Sequence, residues 1–75
     1  MNDIQTPTLD PDFADGYFNK GLALENLGRY DEAIAAFEET IYRVPELAEA
    51  WHHKGIAYEK LGKDAEAVES FVRAK

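Results

Sequence analysis

Apolar residues recur along this chain at helical spacing. In ADGYFNKGLALENLG, Tyr17, Leu24 and Leu27 fall on one side of a helix, and Gly28 supplies a C-terminal stop. In YDEAIAAFEETIYRV, Ile34, Phe37, Ile41 and Val44 step by three, four and three, which predicts one buried helical face. Asp31 is placed to cap this second helix, and Glu32 suits its first turn. Pro45 fits the first position of a third helix, which carries Leu47, Trp51, Tyr58 and Leu61 and ends at Gly62. Asp64 opens a fourth, with Val68, Phe71 and Val72 on its apolar side. No segment alternates with a period of two. The predicted connections are two or three residues long, so neighbouring helices are expected to run antiparallel.

The helical pattern is written twice. KGLALENLGRYDEAIAAF, from Lys20, aligns without gaps on KGIAYEKLGKDAEAVESF, from Lys54. Gly21/Gly55, Ala23/Ala57, Glu25/Glu59, Leu27/Leu61, Gly28/Gly62, Ala33/Ala67 and Phe37/Phe71 are identical pairs 34 residues apart. Tyr17/Trp51, Leu22/Ile56 and Ile34/Val68 are similar pairs in the same register. A fixed period of this size marks an architecture of stacked units, each burying its apolar face on the next.

These residues resemble the tetratricopeptide repeat, a helix–turn–helix unit of about 34 residues with the pattern W-x2-L-G-x2-Y…A-x3-F…P. Trp51, Gly55, Tyr58, Ala67, Phe71 and Ala74 fall on the family positions in the second copy, and Tyr17, Gly21, Leu24, Ala33, Phe37 and Pro45 in the first. Lys20 and Lys54 replace the leucine before the glycine, Thr40 replaces a small residue, and Asp64 stands opposite Tyr30. These departures are expected to weaken packing locally without breaking the register. The resemblance covers roughly Ala14 to Lys75. It implies an all-α fold: about four helices in tandem antiparallel helix–turn–helix hairpins, a segment of a right-handed α-solenoid. The implied organisation is a flexible segment over 1–10 and a repeat domain over 11–75, with repeat 1 at about 14–47 and repeat 2 at about 48–75. The family glycine, here Gly21 and Gly55, is expected to face the small residue of the second helix, here Ala33 and Ala67.

The ends of the array raise their own expectations. Pro11 lies 34 residues before Pro45, either as the closing proline of an earlier unit or, with Asp10, as the cap of the first helix. The second copy stops before its closing proline, leaving Val68, Phe71 and Val72 without a neighbouring hairpin. An uncovered apolar helix face implies a partner, self-association or a longer array. The chain is therefore expected to be a segment of such an array, or a small protein that dimerises or exchanges helices.

The resemblance also implies a function. Proteins of this family are binding scaffolds whose first helices line a concave groove for a peptide or a partner's helix. The corresponding positions are Asp15, Phe18, Leu22, Glu25 and Asn26 on the first helix, and Glu49, His52, Ile56, Glu59 and Lys60 on the third. Phe18, Leu22 and Ile56 make apolar centres, and Asp15, Glu25, Glu49 and Glu59 rim them with carboxylates. Such a surface suits a peptide with apolar anchors and Lys or Arg flanks. Alternatively, Phe18 and Leu22 pack on the N-terminal segment, against Phe13. One family mode, a clamp for an acidic C-terminal carboxylate, needs Lys and Asn where Phe18 and Leu22 stand, so that mode is not expected.

Composition narrows the remaining classes. Fifteen acidic residues oppose eight basic ones, for a net charge of −7 in 75 residues. That balance argues against nucleic acid and anionic membrane surfaces, both of which need clustered Lys and Arg. It also fits a chain simply kept soluble by charge. There is no cysteine, hence no disulfide or thiolate site; this fits a reducing compartment, and a cytoplasmic protein is expected. MNDIQTPT lacks the apolar stretch of an export signal. His52 and His53 point about 100° apart on a helix and cannot clasp one metal together. Glu49 and His53 are spaced to pair, but two ligands do not make a zinc site, and both histidines are expected on the surface. The glycines are accounted for by the repeat rather than by a phosphate loop. No catalysis, cofactor or metal is expected. Two readings stand: a module that captures a peptide in the groove, or an assembly unit, for example a homodimer, that joins other copies through Val68, Phe71 and Val72.

Overall fold

The computed structural model describes residues 11–75. The segment expected to be flexible, 1–10, and with it Asp10 as a cap, lies outside them. Four helices follow in order: α1 (Pro11–Asn26), α2 (Tyr30–Arg43), α3 (Ala48–Lys60) and α4 (Asp64–Arg73). The all-α expectation holds. Helices α1 and α2 form one hairpin, α3 and α4 a second, and α2 makes the main joint between them, while α1 touches α3 only sparsely.

Both hairpins turn on a glycine. Gly28 and Gly62 sit at φ +76° and +78°, a left-handed conformation that costs a residue with a Cβ about 1 kcal/mol or more. The turn closes alike in both: the Arg29 amide donates to the Leu24 carbonyl at 2.9 Å, and the Lys63 amide to the Tyr58 carbonyl at 2.9 Å. This early closure corrects the expected cap at Asp31. Helix α2 starts two residues sooner, with Arg29 at the cap position and no side-chain cap, because the Ala33 amide already bonds the Arg29 carbonyl at 2.9 Å. Asp31 and Glu32 lie in the first turn, where they favour the helix dipole, and Arg29 pairs with Glu32 at 2.7 Å.

The connection between hairpins occupies 44–47, longer than expected. Pro45 is not the first residue of α3, which starts at Ala48. A turn from the Val44 carbonyl to the Leu47 amide (3.1 Å) holds it outside the helix, and its own carbonyl accepts the Trp51 Nε1 hydrogen at 2.7 Å. Pro11, by contrast, lies in helix α1 and is the first described residue.

The core is built from small residues around one aromatic ring. Ala33, Ala36, Ala50, Ala57 and Ala67 are buried, Ile34 is 7% exposed and Phe37 is wholly enclosed. A Cβ built on Gly21 would lie 2.5 Å from the Phe37 ring, and one on Gly55 would lie 2.7 Å from the Phe71 ring. Beside the expected glycine–alanine contact, the helical glycines make room first for a phenylalanine. Leu27, expected in the core stripe, is 69% exposed, whereas its counterpart Leu61 is half-buried beside the first hairpin. Thr40 does not loosen the packing. It is fully buried, and its hydroxyl donates to the Ala36 carbonyl at 3.0 Å. Lys54, in the place of the family leucine, lays its stem in the structure: its ammonium lies 5.0 Å from the Trp51 ring centre and 3.3 Å from Glu38.

Gly→Ala normally gains helix stability of about 1 kcal/mol. Gly16, with nothing within 4 Å of a built Cβ, should follow that rule. Gly21→Ala should instead lose stability, by about 1–3 kcal/mol, because the enclosed Phe37 ring must move. Urea unfolding of the two variants gives opposite signs if the glycine–phenylalanine contact is as described; equal gains would contradict it.

Candidate functional site

Helices α1 and α3 occupy equivalent places in the two hairpins, and the expected groove residues lie on them. Phe18, Leu22 and Glu25 on α1 and Ile56 on α3 are half-buried, while Asp15 and Asn26 on α1 and Glu49, His52, Glu59 and Lys60 on α3 are exposed. Apolar groups thus sit low and Asp15, Glu49 and Glu59 stand at the margins, whereas Glu25, expected on the rim, is half-buried instead.

The helices are stitched together by a residue that was expected on the surface. His53 is half-buried, and its Nδ1 lies 3.1 Å from Glu25 Oε1, on the first helix of the other hairpin. Its ring also stacks on Phe37 (5.9 Å between centres, 30°) and meets the edge of Phe18 (5.7 Å, 70°), while Phe18 tilts on Phe37 at 5.8 Å. Such aromatic contacts contribute about 0.5–1.5 kcal/mol each beyond their buried area. His53 therefore turns to Glu25, not to Glu49 one turn away. Phe18 packs on Phe37 and His53, and Phe13, its other expected neighbour, is 55% exposed. The second Glu25 oxygen, Oε2, is buried with no hydrogen-bond partner among the described residues. No local signal marked His53, because Glu25 lies 28 residues away on the other hairpin.

A hollow lies elsewhere. It measures about 600 Å³ and opens beside Tyr17, Lys20, Leu24, Glu32, Ala36 and Glu39. A smaller one, about 320 Å³, opens beside Trp51, Lys54, Tyr58, Glu66, Ser70 and Arg73, each 34 residues further on. Since it recurs in register, the hollow is a crease of the hairpin and not a specialised site. Cations fill its edges: Arg43 lies 4.6 Å from the Tyr17 ring centre and Arg73 5.2 Å from that of Trp51. Burial pushes the Tyr58 hydroxyl above the ordinary phenol range, and Glu38, Glu66 and Glu69 push the same way, so it stays a neutral donor.

On α4, Val68 and Val72 are 60% and 59% exposed. Phe71 belongs to a different environment. It is half-buried, pressed on Gly55 with His52 5.6 Å away, so it holds the hairpin as well as bordering the open face.

Residues 8–46 and 18–75 match the Tetratricopeptide repeat family. The chain belongs to the tetratricopeptide-repeat family. Among solved structures, the crystal structure of MamA is similar, with a TM-score of 0.81 and 40% identity over 83% of this chain. The match covers 36% of that chain, so this protein spans little more than a third of MamA's length. No curated protein matches. As tetratricopeptide repeats, the two hairpins make a protein-interaction module of helical repeats. No described helix is long and apolar enough to cross a membrane.

Within this repeat pair, the Glu25–His53 contact should couple the hairpins. A double-mutant cycle with Glu25→Gln and His53→Phe, read by urea unfolding, should return a coupling of about 0.2–1 kcal/mol, the range for half-exposed pairs. Strictly additive variants would mean that the contact does not form.

Proposed function

We propose that this chain is a non-catalytic protein-binding module that takes a peptide or helix of a partner along α1 and α3. The observation that carries this reading is the half-buried stripe of Phe18, Leu22 and Ile56, which hairpin packing leaves partly open. Exposed Asp15, Glu49 and Glu59 beside it favour Lys or Arg on the partner, in keeping with the net charge of −7. The partner chemistry is thus an apolar anchor between basic residues, which disfavours nucleic acid and anionic membranes as ligands. The cysteine-free chain suits a reducing, cytoplasmic setting.

A second reading has its own support. The exposure of Val68 and Val72 on α4 favours an assembly unit that joins other copies through its hairpin ends. Phe71 is a poor probe of that face because it also fills the hairpin, so Val72 is the residue to change.

Selection from a displayed random peptide library separates the two. The wild-type chain should enrich peptides with an apolar residue flanked by Lys or Arg. Phe18→Ala combined with Ile56→Ala should weaken capture by about tenfold or more, as truncated anchors do. Val72→Asp should leave it unchanged. Equal capture by the Phe18/Ile56 variant would remove the groove reading.

A further inference from the structure

The two hairpins share one register, so each position can be compared with its counterpart 34 residues away. The partner helix within each hairpin is equivalent. A difference in burial between counterparts therefore records what the neighbouring hairpin covers. On α3 and its C-terminal cap, Ala50 and Ala57 are fully enclosed, and His53 and Leu61 are half-buried. On α1 and in the turn just after it, their counterparts Gly16, Ala23, Asn19 and Leu27 are all exposed. The four form a single helical stripe. This is the face of a hairpin that docks on the hairpin before it.

The receiving face is recorded in the same way. Ile34 and Phe37 are buried and Glu25 half-buried in the first hairpin, where α3 covers them. In the second hairpin, Val68 and Glu59 are exposed and Phe71 is half-buried. The chain thus carries both halves of its own internal joint, one at each end.

Resting on the assembly reading above, we propose that the occupant of the α3–α4 end is a second copy of this chain, docked by its α1 stripe. The joint between copies repeats the joint within one. The chemistry matches position by position: Ala23 and Leu27 repeat Ala57 and Leu61, and Val68 and Phe71 repeat Ile34 and Phe37. Where Glu25 meets His53 within the chain, Glu59 meets Asn19 between chains, again an acceptor against a donor. Where Lys54 meets Glu38, Lys20 meets Val72, which the lysine stem can cover. Two different surfaces meet, so the contact is head-to-tail and each copy keeps one free face for the next, until a ring closes or a filament grows. Each copy carries a charge of −7, so added salt should strengthen the series by screening repulsion. Capture of a basic peptide by the groove should weaken with salt instead.

Sedimentation tests this with the whole chain. The wild-type average mass should rise with concentration past the dimer. Leu27→Asp and Val72→Asp each spoil one face at an exposed residue; both should stay helical by circular dichroism and sediment as monomers. Mixed in equal amounts they should form a heterodimer and nothing larger, because one intact α1 face and one intact α4 face remain. Ala23→Glu and Val68→Glu form a second pair with the same expectation. If Val72→Asp is monomeric while Leu27→Asp associates like wild type, copies meet through α4 on both sides; the assembly reading then survives and the head-to-tail joint falls. A wild-type chain that stays monomeric throughout overturns both.

Discussion

Phe37 lies on the bare backbone at Gly21, and Phe71 lies on that at Gly55, closer than any Cβ would allow. The rest of the fold depends on this approach. A glycine inside a helix costs up to about 1 kcal/mol, while enclosing a phenylalanine side chain stabilises by about 1.5–3 kcal/mol, so the contact wins. It draws α1 against α2 and α3 against α4. The hairpins are then thin enough for alanines such as Ala50 and Ala57 to sit at the joint with no exposure at all. In the first hairpin the ring is also the platform on which Phe18 and His53 rest, so the same contact reaches the candidate groove.

Much of this was legible in the residues, because the period of 34 constrains every element twice. The glycine stops at Gly28 and Gly62, the helix beginning at Asp64 and the pairing of helices into hairpins all follow from local chemistry and the repeat. What sequence could not place were choices decided by competition. Asp31 had the right side chain for a cap, but the glycine turn closed the helix sooner. Pro45 had the right φ for a helix start, but a backbone turn and the Trp51 hydrogen bond kept it outside. Leu27 had the right spacing for a core residue, but spacing does not say whether a neighbour exists on that side.

The candidate groove was legible only in part. Positions such as Phe18, Leu22 and Ile56 were expected from the family resemblance, and the structure leaves all three half-buried. His53 escaped because its partners, Glu25 and Phe37, are brought to it only by the stacking of one hairpin on the next. Lys54 was misjudged for a related reason. Lys54 departs from the family pattern, yet its stem and charge are both used, on Trp51 and on Glu38.

One register therefore sets the joint inside the chain and the two faces at its ends. The most direct test is amide hydrogen exchange at low and high protein concentration. In dilute solution, α2 and α3, which share the internal joint, should exchange slowest, and α1 and α4 faster. Raising the concentration should slow α1 and α4 together and leave α2 and α3 unchanged. Exchange that does not change with concentration, or that slows in α4 alone, would contradict a joint made from both ends.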